Sequence, residues 1–226
     1  MMLKNVELDH VFVFTSPQAP FVSQIQQAGF LEGSQARHLG QGTANRRFFY
    51  HNAYLEFIWV TDEVEVKSPL IARTNLWERS NWKILKRNPF GIGLRSSGKL
   101  DGQTPFQSWP YNPPYLPSQH PIQIASNDGY MDEPLIFIYQ PAMRPDSQHA
   151  NFCEPLYHPN GAKEITSVRV TLPQMRNISE AVKKLLELGI VNFIEGPDYF
   201  MEVTFDYGHQ GKSIDLRPHS PIALRW

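Results

Sequence analysis

Gly40-Gln41-Gly42-Thr43-Ala44-Asn45-Arg46-Arg47-Phe48-Phe49-Tyr50, a turn at His51-Asn52, and then Ala53-Tyr54-Leu55-Glu56-Phe57-Ile58-Trp59-Val60 form the stretch on which the fold turns. Its two runs are rich in aromatic and β-branched residues, so they read as strands that meet at a tight turn. The second run carries a lone carboxylate, Glu56, with apolar neighbours on both sides. A charge there is costly unless something pairs with it or binds it. Glu56 is therefore the first residue to explain.

Upstream, Leu8-Asp9-His10-Val11-Phe12-Val13-Phe14 reads as a strand with little exposure, and Leu8, His10 and Phe12 are expected on one face. Ser16-Pro17 predicts a helix start, and Phe21, Val22, Ile25 and Ala28 repeat at helical spacing until Gly29. With a short edge strand in 30–38, the opening of the chain reads β-α-β-β-β. The same order returns near the C-terminus. Ile165–Leu172 predicts a strand, Ser179 or Asn177 a helix cap, and Val191–Glu195, Phe200–Tyr207 and Ser213–Arg217 three further strands. Overlaying the two ends sets Leu55-Glu56-Phe57 against Ile214-Asp215-Leu216.

Between them, Pro69–Lys83 predicts a helix, and Pro89–Arg95, Pro121–Ser126 and Pro134–Tyr139 predict short strands. Pro105–Pro117 is stiff and aromatic, with prolines that argue against a regular ladder. This middle is either a third module without its helix or an insertion that roofs a pocket. The expected organisation is an α+β chain of repeated βαβββ modules forming curved mixed sheets around a pocket: an N-terminal module over 1–66, an irregular middle over 67–160 and a C-terminal module over 161–226.

Twenty-one basic residues against 22 acidic ones give a net charge of -1, which supplies no electrostatic reason to expect nucleic acid or an anionic membrane. A single cysteine, Cys153, excludes an internal disulfide framework and suits a reducing compartment. The polar start and the short apolar run Val11–Phe14 leave cytoplasm as the expected location.

A recurring β-α-β-β-β unit with His10 in its first strand and Glu56 in its last resembles the vicinal-oxygen-chelate superfamily. It is more closely similar to the glyoxalase-like domain proteins, through Leu8-Asp9-His10, Gly42-Thr43-Ala44-Asn45, Tyr54-Leu55-Glu56, the Glu133–Tyr139 strand and His158-Pro159-Asn160-Gly161. The resemblance implies modules that cup a cavity and a divalent metal (Mn, Mg, Zn or Fe) held by His10 and Glu56. It also implies a small-molecule enzyme of lyase or isomerase type acting on an oxygenated metabolite, and association through module edges into a homodimer. The second half of the ligand set is missing: the C-terminal module would offer Ser167 and Asp215, the middle one roughly Gly91 and Tyr139. One imidazole with one or two carboxylates suits Mn or Mg better than Zn or Fe. A metal-free protein that sequesters a small molecule is the alternative.

The expected substrate-binding residues are Arg46 and Arg47, which would neutralise a substrate carboxylate, and Trp109, Tyr111 and Tyr115, which would clamp an apolar or planar ligand. No general base is assigned. The bland readings are a structural hydrogen-bonded or ionic pair of His10 with Glu56 inside the cup, with Arg46 or Arg47 as an alternative partner for Glu56, a surface pair between Asp215 and Arg217 or His219, a solvated loop His38 and an inert Cys153. Gly93–Lys99 imitates a phosphate-binding loop, but Leu100 stands where the metal-binding Ser or Thr belongs. No Gly-x-Ser-x-Gly elbow occurs.

Overall fold

The computed structural model describes residues 6–97, 103–148 and 153–226; the end of the phosphate-loop imitation, from Gly98 on, and His149 near Cys153 lie outside them. The N-terminal part runs β1 (Val6–Phe14), α1 (Val22–Gln27), β2 (Ala36–His38), β3 (Thr43–Phe49) and β4 (Tyr54–Val60). Four short helices follow, α2 (Glu63–Val66), α3 (Pro69–Ala72), α4 (Leu76–Ser80) and α5 (Trp82–Leu85), and then β5 (Phe90–Ser96), β6 (Ser108–Tyr111), β7 (Ile122–Ala125) and β8 (Leu135–Ile138). The C-terminal part is β9 (Ile165–Leu172), α6 (Glu180–Leu188), β10 (Asn192–Glu195), β11 (Phe200–Phe205), β12 (Ser213–Asp215) and β13 (Ile222–Arg225).

Eight strands form one mixed sheet in the order β2-β3-β4-β1-β5-β8-β7-β6. Its two halves repeat each other. β1 runs parallel to β4 with His10 opposite Tyr54, and β5 runs parallel to β8 with Gly91 opposite Leu135, the same 44-residue step in both. The halves join through the antiparallel β1–β5 pair. The partner of the N-terminal module is therefore the middle of the chain, and the described residues between β5 and β6 form no helix. Pro110 sits inside β6 opposite Gln123, against the expectation that prolines exclude a ladder here. β6 is the last strand of the sheet, and an edge tolerates a missing N–H.

The sheet is strongly curled. Gln41, beside β3 at one end of the strand order, accepts a 2.7 Å hydrogen bond from the Tyr111 hydroxyl on β6 at the other end. Laid flat, eight strands would set those edges about 34 Å apart.

The C-terminal sheet has the order β10-β9-β11-β13-β12. Here β9 pairs with β11 antiparallel and with β10 parallel, unlike the parallel first-to-last pairing of the other two modules. The overlay of Asp215 on Glu56 fails for this reason: Asp215 is exposed on a separate sheet and ion-paired with Arg217, as the bland reading had it. The turn at 208–211 does not close a hairpin, because β13 lies between β11 and β12.

Local chemistry explains the helix ends. Gln18 and Ala19 adopt φ of 64° and 44°, so no helix continues from Ser16-Pro17 and α1 begins later, at Val22. The Ser179 hydroxyl accepts from the Val182 N–H and caps α6, and Gly189 at φ 67° ends it. The helix predicted over 69–83 is broken into pieces by left-handed backbone at Asn75 and by the bend at Asn81. Buried Arg79 on α4 donates to the carbonyls of Asn88 and Glu133; desolvation pulls its guanidinium down to about 10. Two apolar clusters result. One lies inside the curl around Phe12, Ile58, Leu76, Ile124 and Phe137. The larger one joins the sheet's back (Val11, Leu55, Ile92, Ile136) to α1, α6 and the C-terminal sheet. No helix among the described residues is long and apolar enough to cross a membrane.

Candidate functional site

The curled sheet cups a half-open cavity of about 250 Å³. One wall is polar and comes from the N-terminal half: Asp9, His10, His38, Asn45, Arg47 and Glu56. The other is apolar and comes from the middle half and its preceding helices: Leu76, Ile122, Ile124, Leu135 and Phe137.

A bulge organises the polar wall. Consecutive residues of a regular strand point to opposite faces. The register of β1 against β5 slips between Leu8 and His10, and the extra residue lets Asp9 and His10 both face the cavity. Leu8 packs against the cluster behind the sheet, so the expected common face of Leu8, His10 and Phe12 holds for the last two. His10 Nδ1 lies 2.7 Å from Asp9 Oδ2, and the other Asp9 oxygen faces the buried Arg95 guanidinium at 3.4 Å. A carboxylate only accepts, so Nδ1 carries the proton, and in the neutral form of the ring Nε2 is the acceptor. The ring stacks on Tyr54 with centroids 4.3 Å apart, and Gly93 makes room for it: a Cβ there would stand 2.5 Å from His10 Cε1.

Glu56 Oε2 lies 3.7 Å from His10 Nε2, and both residues are over nine-tenths buried. The other carboxylate oxygen, Oε1, accepts from Asn45 Nδ2 at 2.6 Å, so neither arginine is its partner. Asn45 Oδ1 is itself tied to the Ala36 N–H. Arg46 alternates to the back of β3, where it ion-pairs with Glu32. Arg47 is on the cavity face, donates through Nε to the Ser34 carbonyl at 3.1 Å, and has no protein partner at Nη1 among the described residues.

Tyr111 and Tyr115 line the cavity; Trp109 does not. Trp109 packs behind Tyr111 with the Arg73 guanidinium 4.2 Å from its ring centroid. Tyr115 stacks on His38 at 4.5 Å, and Gly40 at φ 79° leaves the space that Pro114 fills, since a Cβ there would stand 2.7 Å from Pro114 Cβ. The proline-rich loop thus roofs the cavity by clasping the glycine loop. His38 is a wall residue under that roof, not a solvated one, and burial holds its imidazole below its ordinary value. Burial likewise pushes the Tyr111 and Tyr115 hydroxyls up, so both remain protonated donors. Asp9 and Asn45 belong to the site without having been assigned a role from sequence, although both sit in the motifs quoted above. Cys153 is exposed.

His10 Nε2 and Glu56 Oε2 are close enough to share one ion, but they are two donors. Zinc or iron centres take three or more protein ligands, and a lone carboxylate holds Mg or Mn weakly. Across the cavity stand Gly91, Gly93, Leu135 and Phe137, which offer no side-chain ligand atom, and Tyr139, the other expected ligand position, which lines the cavity with only a phenol. This donor set does not fit a resident metal. A second grouping, His51, Asp146 and Glu164, brings ligand atoms within 4.8 Å of one another, yet Arg144 already bonds both of its carboxylates.

No family model and no curated protein sequence matches the chain. Among solved structures the chain is similar to a hypothetical protein from Staphylococcus aureus, at 13% identity and a TM-score of 0.58 over 99% of each chain. It also aligns with methylmalonyl-CoA epimerase from Mycobacterium tuberculosis at 15% identity and a TM-score of 0.38, over 63% of this chain and 94% of that one. The first similarity spans the whole molecule and shows that the full three-part arrangement, C-terminal sheet included, is a fold shared with another protein.

Proposed function

We propose that the protein is a glyoxalase-like small-molecule enzyme of lyase or isomerase type whose chemistry is proton transfer in the cavity. One observation carries this reading: an imidazole that lines the cavity, with its Nδ1–H held by one buried carboxylate and its Nε2 beside a second. His10 takes a proton from the substrate, with Asp9 fixing its tautomer and stabilising the imidazolium that forms, and returns it to a neighbouring atom. Glu56, held by Asn45, faces the same point and stabilises the charged ring. Arg47 and the Tyr115 hydroxyl are the donors available to a substrate oxygen that gains negative charge.

The test is solvent deuterium incorporation, followed by proton NMR, at the hydroxymethyl carbon of 1-hydroxy-4-phenylbutan-2-one and of simpler hydroxyketones. Incorporation that His10→Ala abolishes is the expected result. Exchange at the buffer rate with all of them would overturn the enzyme reading. The mainly apolar second wall favours one other reading, a metal-free protein that sequesters a small molecule, and saturable binding of the same compounds without exchange would establish it.

A further inference from the structure

The two halves of the cavity differ in what they can offer a ligand. On the polar wall, His10 Nε2 and Glu56 Oε2 stand 3.7 Å apart, and with the Nδ1–H of a neutral ring donating to Asp9 both are acceptors. No protein donor lies between them among the described residues; Asn45 is committed to the other carboxylate oxygen. Two buried acceptors side by side are unfavourable until something supplies a proton to both. A carboxylate ligand cannot do this, and it would add charge next to Glu56. A hydroxyl can, because its one proton, placed between acceptors 3.7 Å apart, is shared by both in a three-centre hydrogen bond. On the far wall, Ile122, Ile124, Leu135 and Phe137 offer only hydrocarbon. At about 250 Å³ the space suits a molecule with on the order of ten to fifteen non-hydrogen atoms.

We infer that the ligand is an uncharged amphipathic hydroxy compound, its hydroxyl seated between His10 and Glu56 and its alkyl or aryl body against the middle half. This rests on the cavity being the ligand site and names the substrate class for the proposed reaction.

Four probes with matched parts test it by calorimetric or NMR titration of the full chain: 1-hydroxy-4-phenylbutan-2-one, its methyl ether, 4-phenylbutanoate, and hydroxyacetone, which lacks the tail. The hydroxyketone is expected to bind tightest. The ether and the carboxylate should each be weaker by about tenfold to a hundredfold, and hydroxyacetone by about a hundredfold or more. In Glu56→Gln the amide can donate, so the preference for hydroxyl over ether should shrink to within about threefold, with folding checked by thermal melting. Equal binding of alcohol and ether, tighter binding of the carboxylate, indifference to the tail, or no binding by any probe would each overturn the inference. Hydroxyl-selective binding without deuterium incorporation would leave it standing and remove the enzyme reading; incorporation without hydroxyl selectivity would do the reverse.

Discussion

The N-terminal and middle halves of the eight-stranded sheet share topology and strand spacing but divide the labour of the site. At the inner face of the N-terminal half stand Asp9, His10, Asn45, Arg47 and Glu56; at the matching face of the middle half stand Gly91, Gly93, Leu135 and Phe137. One half keeps the imidazole and the carboxylates, and the other supplies shape, with hydroxyls only at the roof and rim from Tyr111, Tyr115 and Tyr139. The difference shows that a repeated backbone need not repeat its chemistry, and that glycine can contribute by leaving space for the opposite half's rings.

The sharpest way to break this division is a pair of truncations. His10→Ala should lower kcat/KM on the hydroxyketone by about 10²–10⁴-fold. Leu135→Ala should raise KM about tenfold with kcat nearly unchanged, the loss of a few buried methylenes. Equal effects on kcat from both would mean that the halves are not so divided. Next in size is the seam between them: Gly93→Ala drives a Cβ into the imidazole, and we expect a ten- to hundredfold fall in kcat with a melting temperature lowered by only a few degrees.

Asn45→Ala tests whether the polar wall is held from behind. Leaving Glu56 Oε1 buried and unbonded should cost about 1–3 kcal/mol in chemical denaturation, a loss that Asn45→Asp would not repair.

A pH series sharpens the same comparison, because both ring nitrogens of His158 bond to the N-terminal half. It accepts the Leu31 N–H at Nδ1 and donates to the Phe49 carbonyl from Nε2, both at 2.9 Å. Desolvation holds its imidazole below its ordinary value, so the unfolded chain takes up the proton first. Its contribution is complete above about pH 6.5 and lost as the pH falls below that. His38 adds to the same trend, with the same sign. The denaturation midpoint should drop over that window, and His158→Gln should flatten the drop. The smallest expected effect is none at all: dialysis against a chelator should leave deuterium incorporation within twofold, as two donors imply, whereas loss of incorporation restored by Mn or Mg would reinstate a metal on His10 and Glu56.

Much of this was legible in the residues. His10 and Glu56 were expected in one pocket, and they meet there because strands of alternating residues fix which side chains share a face. The spacing could not show the bulge, a register slip set by pairing with β5, and so Asp9 went without a role and Leu8 was placed on the wrong side. Arg46 and Arg47 look alike in sequence; only strand parity within the folded sheet separates the one that lines the cavity from the one that pairs with Glu32. Trp109 and Tyr111 share a strand face, but the curl brings Tyr111 alone to Gln41. The C-terminal element order imitates the first module while its pairing does not, because order along a chain says nothing about which edges meet.

In the middle half, where the first module has α1, the described residues carry no helix, and the back of β5 and β8 is sealed into one apolar cluster with the C-terminal sheet. The last third of the molecule is therefore no passenger. A chain ending near residue 160 would present Ile92, Ile136 and Ile138 to water, and we expect such a fragment to aggregate before its cavity could form.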